Sequence, residues 1–288
     1  MSGPPSLIVN ADDLGMAPGI NRAIFAAHER GIVTSASLMA LGSAFDDALL
    51  GLARHPRLGV GVHLVLHGER PLCAPERIPA LVGDDGRLLP LRRVLARLAL
   101  GRLPRAQIEA ELAAQIERVR AAGVQPTHLD SHCHLHAFPG VGRVVHALGA
   151  RLGVACARKA ELGSAAELFG AAPGRIPLGL AITACHRIGA HRGAAGLRTP
   201  DRLLGLLRSG SIEIDWLVAR LAALPAGSVT ELMVHPGDGA DGAHGGDFGG
   251  DHGARARHAE LEALTSPMVA EAVRRAGVEL VSYRHLAP

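Results

Sequence analysis

The chain has 288 residues, a formal net charge of +3, and 48% hydrophobic against 20% charged residues. That composition belongs to a folded globular protein with ample core and excludes disorder as a description of the whole chain. The basic residues are scattered arginines rather than a patch, which argues against a nucleic-acid partner. No stretch approaches the roughly 18–20 unbroken apolar residues of a membrane span.

Residues 1–5 lack a basic region followed by an apolar run, so no leader is expected. Residues 6–10 form a short apolar run of the kind that makes a buried parallel strand, ending in Asp12 and Asp13. Pro18 then opens a helix over 19–30, which stops at Gly31. Strands are predicted over 34–41 and 58–66, with a helix over 44–54 between them. The polar, proline-rich stretch 67–90 reads as a long loop. An amphipathic helix follows over 107–122, then a strand over 127–136, a helix over 141–152 and a short strand over 154–157. No period dominates residues 160–197. Helices are predicted over 201–207 and 212–224, a strand over 228–235, an exposed Gly-, Asp- and His-rich loop over 236–253, a helix over 258–276 and a last strand over 278–283.

Strands and helices thus alternate, which predicts an α/β chain: a parallel sheet of about seven strands with helical crossovers, closed into a barrel or near-barrel within one domain spanning residues 1–288. Four cysteines (Cys73, Cys133, Cys156 and Cys185) show no Cys-x-x-Cys pairing, which suits a reduced, cytoplasmic protein.

Barrels of this kind gather function at the C-terminal ends of their strands. There the sequence places Asp12 and Asp13, then His63, then Asp130 through His136, and finally His235, each interrupting an apolar run. On a regular strand Asp130, His132, His134 and His136 share one face. Burying several imidazoles together without partners is costly, so this segment points to a metal site. Spacing alone does not choose among His132, His134 and His136. Alone, His63 reads as a core histidine, Asp12 and Asp13 as a helix start, and His235 as a turn residue. Convergence at one mouth turns these readings toward chemistry.

Asn10-Ala11-Asp12-Asp13-Leu14-Gly15, Gly61-Val62-His63-Leu64, His128-Leu129-Asp130-Ser131-His132-Cys133-His134-Leu135-His136 and Met233-Val234-His235-Pro236-Gly237 resemble the motifs of the YdjC-like carbohydrate deacetylases, with their chitooligosaccharide and hopanoid-associated branches. Residues 31–35, 199–201, 264–267 and 282–284 extend the similarity over nearly the full length. The resemblance implies a distorted (β/α) barrel related to polysaccharide deacetylases and one divalent metal ion, Mg or Zn, on Asp13, His63 and His132. It further implies Asp12 as catalytic base and His235 as acid, an N-acetylated sugar as substrate, and compatibility with a homodimer. His134 and His136 are left as outer or substrate-facing residues. Cys133 stands where the family often has histidine, with its side chain expected to face away, and Arg158 is an arginine near a strand end without an assigned role. Phe138, Trp216, Phe248 and Tyr283 are the aromatic candidates for a sugar platform, and the acids and histidines of the Gly-rich loop are candidates for an extra ion. Another metal hydrolase on the same barrel (an amidase or phosphosugar-cleaving enzyme) and a non-catalytic metal-binding regulator are the alternative readings.

Overall fold

The computed structural model describes residues 3–163, 165–168, 171–190, 196–240 and 253–287. In chain order the elements are β1 (Ser6–Leu14), α1 (Pro18–Arg30), β2 (Ser35–Leu38), α2 (Phe45–Leu52), β3 (Gly59–Leu64), α3 (Leu91–Ala99), α4 (Arg105–Ala121), β4 (His128–Ser131) and α5 (Pro139–Leu152). There follow β5 (Cys156–Ala157), α6 (Arg175–Ala190), β6 (Arg202–Leu204), α7 (Ile214–Leu221), β7 (Val229–Val234), α8 (Ala254–Thr265), α9 (Pro267–Arg275) and β8 (Glu279–Val281).

The strands form one parallel sheet in the order β5-β4-β3-β2-β1-β7-β6, with β8 also paired to β1. Bridges from Cys156 to Arg198 and from Leu162 to Leu203 draw the β5 end toward β6, so the sheet curls into a distorted, open barrel. Among the described residues no helix is long and apolar enough to cross a membrane.

Period-two alternation on β1 sorts the two faces. Leu7, Val9 and Ala11 join the main core beneath the helices, whereas Ile8 joins Cys156, Val281 and Tyr283 in a separate cluster. Further along that second face come Asn10 and Asp12. A parallel sheet covered by helices must be apolar on its outer face. The polar chemistry of the strands is therefore confined to the lumen.

Four expectations change. Residues 202–204 are a strand, not part of a helix, because Leu203 and Leu204 complete the ladder with β7; the helix preference of leucine is a weak prior that tertiary pairing overrides. The helix expected over 258–276 is broken at Pro267, where Ser266 accepts a hydrogen bond from the Met268 amide and caps α9. Helices α3 and α6 lie where no element was predicted. Finally, the strand expected over 127–136 ends at Ser131, and His132–Ala137 winds into a short 3-10 segment with Cys133 and His134 both at φ 53. Asp130, His132, His134 and His136 therefore do not share one strand face. Of the Gly-rich loop, Asp238 pairs with Arg22 at 2.7 Å, while Asp241, His244, Asp247, Phe248, Asp251 and His252 lie outside the described residues.

Candidate active site

The first ligand candidate owes its position to a break in β1. The register with β2 shifts between Ala11 and Leu14, and Asp13 takes φ 70. On a regular strand Asp12 and Asp13 would point to opposite faces; the left-handed residue brings both carboxylates to the same mouth. The conformation costs about 1–2 kcal/mol outside glycine, and the contacts made by both side chains hold it in place.

His63 stands directly opposite Asp130 in the β3–β4 ladder. That register puts His63 Nδ1 2.8 Å from Asp130 Oδ1 and leaves Nε2 3.5 Å from Asp13 Oδ1. His132, just past β4, brings Nδ1 to 3.1 Å from the same oxygen. Asp13, His63 and His132 each offer a ligand atom within 4.8 Å of the others.

Two observations fit a cation among these atoms. Asp13 Oδ1 is buried and has no hydrogen-bond partner among the described residues, although two imidazole nitrogens flank it. The buried charge also does not balance: among the described residues, the carboxylates Asp12, Asp13, Asp130 and Glu231 face two guanidiniums, Arg158 and Arg257. Without metal, protons fill the gap. Burial pushes the His63 imidazole down, but Asp130 and Asp12 outweigh it and raise its pKa. Burial likewise opposes protonation of His132, yet Cys133 and Asp13 hold it well above the usual histidine range. Two imidazoles and a carboxylate form a donor set suited to zinc and similar ions.

Around the ligands lies a buried ion network. Arg158 forks onto Asp12, with Nη1 2.7 Å from Oδ2 and Nη2 2.6 Å from Oδ1. It also reaches Asp130 at 3.0 Å and Glu231 at 2.8 Å. Desolvating an ion costs several kcal/mol, and three carboxylates compensate this one. Burial raises the Asp12 carboxyl above its ordinary value despite the Arg158 clamp. For Asp13 the balance is reversed: burial pushes it up, but Arg257 and His132 hold it well below the carboxylate range. Arg257 Nη2 donates to Asp13 Oδ2 at 2.6 Å. Its stem packs on Gly237, where a Cβ would come within 2.9 Å of Arg257 Cβ; this explains the glycine after His235-Pro236.

His235 directly follows β7, with Nε2 3.8 Å from Asp12 Oδ2 and Nδ1 3.1 Å from Ser209 Oγ. Its amide donates to Glu260 at 2.6 Å. All five predicted site residues thus meet at one mouth.

The other expectations divide. Cys133 does not face away: the left-handed turn at 133–134 sets it beside His132 and His67. Burial pushes its thiol up, but His132 and His67 together bring it down to about 6. His136 is buried against Ser131 Oγ at 2.6 Å, and burial lowers the pKa of His134 to about 3. Tyr283 is no sugar platform: it is fully buried, stacked on His128 at 3.7 Å, with its hydroxyl on Glu231. Asp130, Arg257, Glu231 and Glu260 had no role assigned from sequence. Asp130 carried a signal, as a polar residue at a strand end, whereas the two on α8 are indistinguishable from ordinary amphipathic helix residues.

Residues 6–275 match the family described as YdjC-like protein. A carbohydrate deacetylase from Geobacillus stearothermophilus is 33% identical over 282 residues, covering 98% of each chain. A chitooligosaccharide deacetylase from Salmonella paratyphi B is 38% identical over 150 residues, 52% of this chain and 57% of that protein. The crystal structure of a candidate cellobiose-phosphate cleavage protein from Enterococcus faecalis superimposes with a TM-score of 0.78 at 25% identity, covering 100% of both chains. This chain belongs to the YdjC-like protein family.

Proposed function

We propose that the protein is a metal-dependent N-deacetylase that hydrolyses the acetamide of an N-acetylated sugar or oligosaccharide to acetate and an amino sugar. The observation that carries this reading is Asp12, clamped by Arg158 beside the Asp13, His63 and His132 donor set. A pure binding site has no need of a second carboxylate held ready there. The full-length similarity to a carbohydrate deacetylase supports the substrate class. The four free cysteines support a reducing, cytoplasmic setting.

A divalent cation on Asp13, His63 and His132 supplies Lewis acidity toward an amide carbonyl and toward water; the donor set favours zinc over magnesium. Asp12 accepts the proton of the attacking water. Arg158 fixes both of its oxygens so that it does not swing away. His235, across the mouth, donates a proton to the departing nitrogen, because an amide anion does not leave unaided.

The test is acetate release from N-acetylglucosamine oligomers, with phosphate release from phosphosugars measured alongside to separate the rival hydrolase reading. Asp12→Asn is expected to keep its metal and lose turnover by about 10²–10⁴-fold. Full turnover in that variant overturns the role of Asp12.

A further inference from the structure

A second donor set touches the first. His67, just beyond β3, together with His132 and Cys133 offers one ligand atom per residue, all within 4.8 Å of one another. The His67 and His132 rings lie 5.2 Å apart and 25° from parallel. We infer that His67, His132 and Cys133 form a second cation seat, selective for thiophilic ions such as zinc or cadmium, adjoining the first seat through the shared His132.

Three features argue for a built seat. The thiol is there because Cys133 and His134 both adopt φ 53; a strand continuing past Ser131 would send residues 132 and 133 to opposite faces. The donors also differ in kind from those of the first set. Replacing a carboxylate with a sulfur ligand, beside two imidazoles, moves a set already suited to zinc further toward soft ions, so magnesium does not compete. A soft ion forms bonds of about 2.0–2.1 Å to nitrogen and about 2.3 Å to sulfur. Finally, His67 is buried while His132 and Cys133 are only partly covered, so an ion has both a floor and an entrance.

Binding forms sulfur–metal and nitrogen–metal bonds and releases to solvent whatever protons the three donor atoms carry, with no change of oxidation state. His132 belongs to both sets, so an ion in the second seat draws on a ligand of the first. Thiophilic ions therefore inhibit whatever reaction the first seat supports. The inference does not depend on that reaction being deacetylation.

The full-length protein, in excess magnesium, is titrated with cadmium while the thiolate-to-cadmium charge-transfer absorption is followed. Wild type should show a band that saturates at one ion per chain. Cys133→Ser, shown by circular dichroism to be folded, should lose the band. His67→Gln should keep it with affinity lowered by at least about 10- to 100-fold, the loss that even an outer-shell change causes at a metal site. Cys185→Ser, at a partly exposed thiol on α6, should bind as wild type does. A band that survives in Cys133→Ser, or no band in wild type, overturns the inference. Because the readout is optical, it stands apart from any failure to detect acetate.

Discussion

Asp130 shows how much one residue directs without touching substrate. It receives His63 Nδ1 at 2.8 Å on one oxygen and the Ser37 hydroxyl at 2.7 Å on the other, with Arg158 Nη2 at 3.0 Å. Burial pushes its carboxyl up, but Arg158 and His63 hold it well below the usual range, so it stays ionised. An ionised acceptor on Nδ1 fixes the His63 tautomer and turns Nε2, with its lone pair, toward Asp13. Asp130→Asn keeps the shape and an acceptor but removes the charge. Metal affinity, measured by calorimetric titration with zinc, should fall by about 10- to 100-fold. Saturating zinc should then recover most of the turnover, which no metal concentration does for Asp12→Asn. Unchanged zinc affinity would show that Asp130 serves only the Arg158 network.

At the level of elements, the join between α1 and α8 depends on one glycine. Gly31 ends α1 at φ −128 and ψ −147, so it is not the left-handed cap that a glycine after a helix usually signals. Its role is close approach: the Leu264 carbonyl at the end of α8 accepts from Ile32, and a Cβ on Gly31 would collide with that oxygen. Gly31→Ala should cost about 1–3 kcal/mol, the range for overpacking, read as a lower urea midpoint with an unchanged slope. Glycine marked where the helix stopped but not why, because the neighbour it accommodates is more than two hundred residues away. Strand ends were legible for the opposite reason: Asp12, His63 and His235 each break an apolar run locally. Residues 132–137 look like strand in the sequence because cysteine and histidine give no sign that they will adopt left-handed backbone. Arg158 was visible but not its register, which is set by a two-residue strand.

The whole molecule carries a cost for bringing these charges inside, and Glu260 exposes it. β1 lies at the centre of the sheet with β2, β7 and β8 as partners, and α8 closes the mouth with Arg257 and Glu260 one turn apart on its inner face. Glu260 is fully buried, and burial lifts its pKa from 4.5 to about 7 although the His235 amide and Arg257 pull it down. Below pH 4.5 the carboxyl is protonated in both the folded and the unfolded chain, so it adds no pH-dependent term. Between 4.5 and 7 the unfolded chain loses that proton while the folded one keeps it, so stability falls as pH rises. Above 7 both are ionised and the loss levels off at about 3 kcal/mol. Glu260→Gln retains an oxygen for the His235 amide but does not titrate. The stability of the variant relative to wild type should therefore climb between pH 4.5 and 7 and plateau above it, measured by urea unfolding across that range. Parallel curves for the two proteins would mean that Glu260 is solvated in the folded state, and that the His235 end of β7 is more open to water than its burial indicates.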